Sequence, residues 1–471
     1  MLSKEEVGQA LSKELIQKVL YAALRNGGDF AEVFVEKRLS DSISLEGGRV
    51  ERVKTGFDLG AGIRVVNGEG VSYVFTDDLD EAAVLAAARL AGSAARATSR
   101  TALIDLRPHS ALSPHRITIR PETVARTRKV ELLMRADQAA RAVDTRISQV
   151  MVGYVDSVQN VIIANSEGLW EEDERVHTRL AVTAVASRGD VIQTGYEAPG
   201  KHMGFELFEK FLPEKIGQTA ATRAITMLHA RPAPVGKMAV VISNGFGGAM
   251  FHEASGHGLE ADFIQKGSSV FAGRLGEQVA SPLVTAIDDA TLANEWGSFR
   301  VDDEGTPAQR TVLIENGILR SYMYDRKAAA KDKRHSTGNG RRESYQDLPL
   351  PRMTNTFIAP GESTQEEIIA ATKHGLFAKV LSGGEVNPAT GDFVFVVSEG
   401  YLIRDGRIAE PVRGAALIGN GPESLKKIDM VGNDLALAAG MCGKGGQSVP
   451  ASVGQPTLRI AELTVGGTQR D

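Results

Sequence analysis

Two histidines and a glutamate within six residues are the part of this sequence whose residue types and spacing point most directly to chemistry. His252, Glu253 and His257 stand in the run Phe251-His-Glu-Ala-Ser-Gly-His-Gly-Leu-Glu260. Imidazole is the commonest protein ligand of zinc, and a glutamate beside a zinc site is the usual general base of a metallohydrolase. The pattern predicts a metal site, and the plainer alternative is a helix with two histidines satisfied by ordinary hydrogen bonds.

The interval between the two histidines constrains the helix that carries them. In the familiar zincin pattern the histidines are four residues apart, which places both rings on one helical face. Here they are five apart, and at about 100° per residue an ideal helix would turn the second ring roughly 140° from the first. Both rings reach one metal only if the helix ends, bulges or kinks between them. Gly256 and Gly258 would make such a break cost little.

Composition excludes several classes of protein. A chain of 471 residues suggests about three domains at ~150 residues each. The 54 basic and 59 acidic side chains give a net charge of −5, which offers no electrostatic case for binding nucleic acid or an anionic membrane. We find no signal peptide and no uncharged apolar run near ~18 residues. The single cysteine excludes an internal disulfide framework, so we expect a soluble cytoplasmic globular protein.

The N-terminal half is predicted to alternate helices with short antiparallel strands. Apolar residues at helical spacing, alternating segments and turn signals predict its elements. The helices are expected over 13–25, 78–97, 121–142 and 213–229, and the strands over 31–36, 42–45, 60–66, 70–75, 149–155, 160–165 and 169–187. A polar, proline-containing stretch at 100–118 is interpreted as a linker. The scattered histidines of this half are interpreted as structural, namely His109, His115, His177, His202 and His229, so the half is expected to be scaffold.

The C-terminal half is predicted to be mainly antiparallel β. An apolar strand over 237–243 leads through the glycine loop 244–248 into the histidine helix. Because the loop lacks a Gly-Lys-Ser/Thr ending, we interpret it as a tight strand-to-helix turn rather than a phosphate cradle. Later strands are joined by Asn-Gly and Asp-Gly hairpin turns, and they are expected over 311–315, 393–397, 401–404, 416–418 and 457–460.

The predicted fold class is therefore α+β. An N-terminal α/β region of antiparallel strands and helices is followed by a β-rich, mainly antiparallel C-terminal domain. The expected units are 1–100, 119–230 and 237–471, and the last of these carries the histidine helix and the only cysteine.

That cysteine, Cys442, is a further candidate ligand. A lone cysteine is most often an inert small hydrophobe. This one lies among glycines and near Lys444, where a thiolate would be favoured. Two histidines and a thiolate form a valid tridentate zinc set with a fourth position left for water. Spacing alone leaves both interpretations of Cys442 open.

From about Val240 to Gly467 the sequence resembles the TldD/PmbA family of metalloproteases, and a looser resemblance covers most of the rest. Several long motifs in the expected order carry it: 252–262, 301–307, 337–345, 351–356, 398–403, 431–435 and 442–444. The family has a TldD kind of subunit with the histidine motif and late cysteine, and a TldE (PmbA) kind without the metal site. This chain is similar to the TldD kind, because His252, Glu253, His257 and Cys442 are all present.

The resemblance implies that His252, His257 and Cys442 are the three protein ligands of Zn²⁺. It also implies an N-terminal α/β region, a β-rich C-terminal domain and a dimer that encloses a cavity. The partner in that dimer is either a second copy of this chain or a TldE/PmbA-type subunit. Members of the family act on small, unfolded or flexible peptides, so we expect a peptide substrate and no nucleic acid or membrane partner.

The mechanism that this implies is hydrolysis of a peptide bond with Glu253 as the general base. Glu253 would take a proton from the attacking water and later hand it to the leaving amine. The group that stabilises the oxyanion is not identifiable from spacing, and four candidates remain: His335, Arg341, Arg342 and Tyr345. The polar stretch 335–344 is equally well interpreted as a surface loop or a dimer contact.

Three alternatives belong to other classes. A cysteine hydrolase with Cys442 as nucleophile and a histidine as base needs no metal, but it leaves the histidine motif without a role. A non-catalytic peptide-binding partner with a vestigial metal site is the second. The third, nucleic-acid binding, has neither a basic patch nor a recognised module in support.

Overall fold

The computed structural model describes residues 11–94, 104–108, 113–387 and 389–468. The fold is α+β with mainly antiparallel sheets, which confirms the expected fold class. The chain start, the end of the helix expected over 78–97, and residues 100–103 and 109–112 of the expected linker, which include His109, lie outside the described residues. The division into units at 1–100, 119–230 and 237–471 stays a prediction.

Strands from two separate stretches of the N-terminal half form one sheet. In spatial order the main path is β3-β2-β1-β5-β6-β4, and β7 and β8 pair with β6. The strands are β1 Phe30–Glu46, β2 Arg49–Asn67, β3 Gly70–Thr76, β4 Arg107–Pro108, β5 Ile147–Asn165, β6 Leu169–Arg188, β7 Val191–Glu197 and β8 Gly200–Lys201.

Two pairs of predicted short strands are each one long strand. The segments expected over 31–36 and 42–45 both belong to β1, and those expected over 149–155 and 160–165 both belong to β5. Their polar middle residues are paired in an unbroken antiparallel register from Glu32↔Asn165 to Glu46↔Met151. The sequence predicts two short strands in each case because the middle residues do not alternate between apolar and polar. Main-chain hydrogen bonds to the neighbouring strand keep these residues extended.

Helices cover one face of this sheet. Helices α1 and α2 pack on Val33 and Ile63 near one end, and α3 and α5 pack on Ile43 and Tyr154 near the other. These helices are α1 Lys13–Leu24, α2 Glu81–Gly92, α3 Arg126–Arg141, the short α4 Leu207–Lys210 and α5 Pro213–Leu228. The helix expected over 121–142 is divided by extended Val124 into a 3-10 turn, Pro121–Thr123, and α3.

The opposite face carries a buried set of charges that we call the charge network: Glu32, Arg64, Glu304 and Arg342. Arg64 contacts Glu32 at 2.8 Å and Glu304 at 2.7 Å, and Arg342 contacts Glu32 at 2.5 Å. All four side chains are at most 3% exposed. Because two of them belong to the N-terminal sheet and two to later loops, the network joins the two halves of the chain.

The C-terminal half contains an eight-stranded sheet in which pairing of β17 with β18 closes a ring through β10, β24 and β20. Its strands are β9 Arg231–Pro232, β10 Gly236–Ile242, β17 His374–Val386, β18 Asp392–Arg404, β19 Arg407–Arg413, β20 Ala415–Asn420, β21 Ile428–Val431 and β24 Leu458–Gly466. The strands expected over 393–397 and 401–404 are both parts of β18.

A six-stranded sheet, in the order β13-β12-β11-β16-β23-β22, packs beside this ring in a shared apolar core. Its strands are β11 Ala286–Asp289, β12 Arg310–Glu315, β13 Ile318–Leu319, β16 Asn355–Ile358, β22 Ala436–Lys444 and β23 Gln447–Gln455. A small hairpin pairs β14 Gly340–Arg341 with β15 Leu350–Pro351. Strand β22, which carries Cys442, is therefore an edge strand.

The remaining helices of the C-terminal half are short. They are α6 Ala249–Phe251, α7 Ala261–Gln265, α8 Arg326–Lys331, α9 Gln365–Ala370 and α10 Gly421–Lys426. Among the helices of the described ranges, none is both long and apolar enough to cross a membrane.

Candidate metal centre

The histidine motif follows β10 through the glycine loop, which forms a 3-10 turn over Gly245–Gly248. A Cβ on Gly248 would lie 2.5 Å from main-chain atoms of Gly454 on β23. No real Cβ approaches a main chain so closely, so this glycine allows the turn to pack against the six-stranded sheet. The loop thereby fixes where the next helical residues begin.

The helix widens between the two histidines, as their spacing predicts. The residues His252–Gly256 form a π-helical turn, in which the His257 N–H donates to the His252 carbonyl oxygen. Gly256 keeps helical angles, φ −56° and ψ −51°, so it does not act as the conformational break that we expected. A Cβ there would instead lie 2.4 Å from Met353 Sδ. Its small size admits the buried Met353 side chain against the wide turn.

Edge strand β22 brings Cys442 to the two histidines. Cys442 Sγ lies 3.3 Å from His252 Nε2 and 3.6 Å from His257 Nε2. The three donor atoms all lie within 4.8 Å of one another. The three side chains, which we call the donor cluster, are all buried. Of the residues that spacing left open, Cys442 is the one that the fold places against the motif.

Electrostatics favour a thiolate in the donor cluster. Burial alone would raise the pKa of the Cys442 thiol, but the charges and hydrogen bonds of His252 and His257 outweigh it and hold that pKa well below its usual value. Burial lowers the pKa of His257, yet Glu260 and Cys442 together raise it well above the ordinary value. The cluster therefore tends to hold negative charge on sulfur, which is the form that binds metal.

Glu260 and Lys444 connect the two segments of the donor cluster. The His257 ring contacts Glu260 Oε2 through Nδ1 at 3.1 Å, which leaves Nε2 directed at Cys442. Lys444 Nζ lies 2.9 Å from the same Glu260 oxygen and 2.6 Å from Asp262. Burial would raise the pKa of Glu260, but His257 and Lys444 lower it to about 2. Lys444, expected beside the thiol, is thus paired with carboxylates instead.

This connection was not found from the sequence. Glu260 lies three residues after His257, and Lys444 lies two after Cys442, so each stood near a candidate ligand. The only signal was that nearness, because the contact between them depends on β22 meeting the start of α7.

Glu253 lies at the edge of the donor cluster. Its Oε2 is 3.8 Å from His257 Nε2, and its side chain is 40% exposed. The carboxylate is therefore close to the donor atoms and still reached by water, as a general base must be. His252 Nδ1, by contrast, is buried and has no hydrogen-bond partner in the part of the chain that the structure describes.

The four candidates for oxyanion stabilisation fall in different places. His335 is exposed. Arg342 belongs to the charge network, and Tyr345 packs with Phe34 beneath the N-terminal sheet. Arg341 is the one buried cation of the four without an ion pair among the described residues, and the charges that act on its pKa include those of Asp303 and Cys442.

Three histidines that we interpret as structural lie together and are not part of the donor cluster. His115 and His202 are stacked with ring centroids 4.0 Å apart, and His177 lies 5.0 Å from His202. Stacked rings direct their lone pairs along parallel planes, so these two do not converge on one ion. Burial lowers the pKa of all three. They are neutral packing residues.

A buried pair of imidazoles with a thiolate, beside a carboxylate that water can reach, is the donor set of a metal-dependent hydrolase. Comparison with known proteins agrees. Family models described as PmbA/TldA metallopeptidase domain 1, central domain and C-terminal domain match residues 31–95, 119–228 and 235–467. The chain belongs to the PmbA/TldD metallopeptidase family, and it is a metallopeptidase.

Individual relatives are similar over nearly the whole length. A Haemophilus influenzae protein named Metalloprotease TldD homolog is 39% identical over 450 residues, which cover 93% of each chain. A Methanothermobacter thermautotrophicus protein named Metalloprotease is 37% identical over 451 residues, 93% of this chain and 96% of its own. The solved structure of TldE from Thermococcus kodakarensis has a TM-score of 0.76 at 20% identity, covering 96% of this chain and 100% of that one. This last likeness concerns the fold alone.

Proposed function

We propose that the chain is a zinc-dependent peptidase that cleaves small, unfolded or flexible peptides, with His252, His257 and Cys442 as ligands and Glu253 as general base. The observation that carries this proposal is the spacing of the donor atoms. A tetrahedral ion with Zn–N of about 2.0–2.1 Å and Zn–S of about 2.3 Å would separate nitrogen and sulfur by about 3.6 Å. The two nitrogen–sulfur distances here are 3.3 and 3.6 Å.

The donor types support zinc over other divalent ions. Magnesium and calcium prefer oxygen ligands, whereas a thiolate with two imidazoles is a common set for zinc. Glu260 supports the same assignment, because a histidine that binds metal usually donates its other N–H to a carboxylate or carbonyl. With three protein ligands, the fourth tetrahedral position is left for water or substrate.

The residues divide the reaction between them. When bound, zinc would polarise the scissile carbonyl and make water acidic enough to lose a proton near neutral pH. Glu253 accepts that proton and later donates it to the leaving amine. Glu260 keeps the His257 ring in the tautomer that presents Nε2, and Lys444 holds Glu260 ionised.

The surroundings of β22 support an extended peptide as substrate. This edge strand pairs with β23 on one side only. On its other side the carbonyl oxygens of Gly440 and Cys442 accept hydrogen bonds from Trp296 and Arg352, and the part of the strand before Gly440 is left for a peptide. A cavity of about 750 Å³ is lined by Ala438 and Ala439 of the same strand and by the glycine loop. Main-chain pairing along an edge would give binding with little side-chain specificity, which suits flexible peptides of varied sequence.

We also propose that the active form is a dimer in the cytoplasm. The partner is a second copy of this chain or a TldE-type subunit, and the similarity of the fold to TldE supports a pseudosymmetric pair of that kind. In such a dimer the two subunits would together enclose the cavity that admits the peptide. A homodimer would carry two donor clusters, and a pair with a TldE-type subunit would carry one. The single buried, unpaired thiol is in keeping with a reducing compartment.

Two alternatives make different predictions. The 3.3 Å contact between Cys442 and His252 is also the geometry of a nucleophile and its base. A cysteine hydrolase of this kind would remain active after treatment with a chelator, whereas the zinc peptidase would lose activity and regain it with added zinc. A non-catalytic partner subunit with a vestigial site would bind peptide without turnover under either condition.

The first experiment is elemental analysis of the purified chain beside the Cys442→Ser variant. We expect one zinc per chain, reduced in the variant, since a hydroxyl is a far weaker zinc ligand than a thiolate. Ser255→Ala, a buried change in the same turn that removes no donor, is the matched control and should keep its metal. Absence of metal from a folded protein offered zinc would overturn the proposal.

A further inference from the structure

The buried arginines of the described residues fall into two kinds. Arg64, Arg175 and Arg342 each contact at least one buried carboxylate at 3.2 Å or less. Arg341 is only 6% exposed and has no ion pair among these residues. A buried charge without a partner is costly to the fold. Such a group must be compensated, either by hydrogen bonds within the chain or by a ligand.

The hydrogen bonds of Arg341 leave most of its guanidinium unused. Nη1 donates to the Met353 carbonyl oxygen at 2.7 Å, and one face of the group lies over the Phe299 ring, 5.4 Å from its centroid. Nε and Nη2 have no partner among the described residues, yet neither is sealed from solvent. Several N–H donors of the guanidinium fork are therefore available to a ligand that reaches this interior space.

Arg352 shows that the absence of a carboxylate does not by itself make a buried arginine available. It too lacks an ion pair, but its two terminal nitrogens donate to the carbonyl oxygens of Cys442 and Gln447. Those contacts hold the end of β22 in place, so Arg352 has a structural use. Arg341 has no comparable set of contacts.

Arg341 is connected to the donor cluster through Met353. The residue whose carbonyl it binds, Met353, places its sulfur against Gly256 in the wide turn between the two histidines. Burial lowers the pKa of Arg341 to about 10. The charges of Arg175 and Arg352 add to this shift, and those of Asp303 and, more weakly, Cys442 oppose it. The side chain still carries its positive charge at neutral pH, within electrostatic range of the sulfur.

We propose that Arg341 binds an anionic oxygen of the peptide held at the donor cluster. This inference rests on the proposed peptidase function. Two oxygens have the right chemistry, the terminal carboxylate of a bound peptide and the oxyanion that develops on the scissile carbonyl. A guanidinium fork pairs with a carboxylate through two parallel hydrogen bonds, and a single N–H suffices for an oxyanion. In either case the incoming charge supplies the partner that the free chain lacks.

The test compares Arg341→Met with Arg341→Lys in full-length protein that also carries Glu253→Gln, so that bound peptide is not consumed. The probes are a flexible dansylated Ala/Gly/Ser peptide with a free carboxyl terminus and the same peptide with a terminal amide. Fluorescence gives Kd with and without zinc, and thermal unfolding gives Tm. The same Arg341 substitutions in protein with Glu253 intact give kcat. Arg342→Met, which removes a paired arginine at the next position, is the matched control.

If Arg341 binds a terminal carboxylate, the parent prefers the free peptide over the amide. Arg341→Met then weakens binding of the free peptide by about ten- to a hundredfold. If it binds the oxyanion, both peptides keep their Kd, and Arg341→Met lowers kcat by about a hundred- to a thousandfold. In both cases Tm of Arg341→Met is unchanged or higher, while the control loses Tm and keeps its Kd.

Two results would overturn the proposal. In one, the free peptide and the amide have the same Kd in every variant, and Arg341→Met does not lower kcat. The same conclusion holds if the two Kd values are equal and the wild type does not hydrolyse the peptide. The other is a loss of Tm in Arg341→Met as large as that of the control, with Arg341→Lys restoring Tm but not binding. Failure of the peptidase function alone, seen as absent wild-type turnover, leaves the carboxylate preference measurable.

Discussion

The donor cluster and the charge network are both buried, and each joins stretches of chain that are far apart in sequence. They differ in how their polar groups are satisfied. In the charge network every arginine faces a carboxylate, and Glu32 is shared between Arg64 and Arg342. In the donor cluster two ring nitrogens and a sulfur lie within 4.8 Å of one another, and the sulfur contacts both nitrogens. The first arrangement pairs its charges within the chain, and the second gathers three atoms of the kind that bind a metal.

This difference separates structural from functional polar burial. A paired charge in the interior contributes little net stability but is strongly destabilising to break, so the network fixes how the halves of the chain fit. Metal ligands that converge in the interior gain most of their interaction energy when they bind an ion. Substitutions in the network should therefore affect unfolding, and substitutions around the donor cluster should affect metal, peptide or rate.

The largest effect is expected for Glu253→Gln, which should separate rate from binding. Replacing the carboxylate by an amide removes the proton acceptor and keeps the size of the side chain, so kcat should fall by about a hundred- to ten-thousandfold. Metal content and Tm should not change, because Glu253 is 40% exposed and is not one of the three converging donors. Steady-state hydrolysis of a flexible peptide with elemental analysis checks both, and unchanged turnover would remove Glu253 from the mechanism.

Arg342→Met tests the charge network. It leaves Glu32 buried with one cation fewer, and we expect a loss of about 3–5 kcal/mol in the free energy of unfolding. Urea unfolding measures this. Adding Glu32→Leu should recover part of the loss, since Arg64 would still be paired with Glu304. A double variant less stable than the sum of the two single changes would show that the network stabilises the fold outright.

The sequence predicts the local part of the donor cluster and not the distant part. His252, Glu253 and His257 are neighbours in the chain, so their spacing was enough to require a distortion of the helix between them. The kind of distortion was not foreseen, because it depends on the Met353 side chain packing at Gly256 from a distant loop. Cys442 remained one of two possibilities for the same reason, since its approach depends on which strand forms the sheet edge.

The difference between local and distant signals also explains which elements of the fold the sequence predicts correctly. Helices with strong apolar periodicity, such as α1 and α5, were predicted to within one residue at each end, because their signal is local. Long strands such as β1 were divided in two, because their polar middle residues are held by neighbouring strands. The charge network was not predicted at all. Its members are ordinary charged residues in the sequence, and only the sheet brings Glu32 to Arg342.

Glu260→Gln should sharpen the comparison from within the donor cluster. The amide keeps the shape of the side chain and loses the charge that orients His257 and pairs with Lys444. Loss of such an outer partner typically weakens metal binding by about ten- to a hundredfold. Competition with a zinc chelator measures this. Asp262→Asn, which changes the other carboxylate at Lys444 and leaves His257 untouched, should shift metal affinity much less.

The smallest effect is expected for the pH dependence of stability, through Asp325 beside the charge network. Burial and the nearby charge of Glu304 raise the pKa of Asp325 from 3.8 to about 7. The folded chain therefore binds this proton more tightly than the unfolded chain, and its contribution to stability falls as pH rises between those values. Asp325→Asn keeps a residue suited to cap α8 and removes the titration. Urea midpoints at about pH 5 and about pH 8 should differ less in the variant than in the wild type. If the unfolding free energy of both proteins depended equally on pH, Asp325 would be ionised throughout this range. The positive charge of Arg64, which pairs with Glu304, would then also stabilise the Asp325 carboxylate.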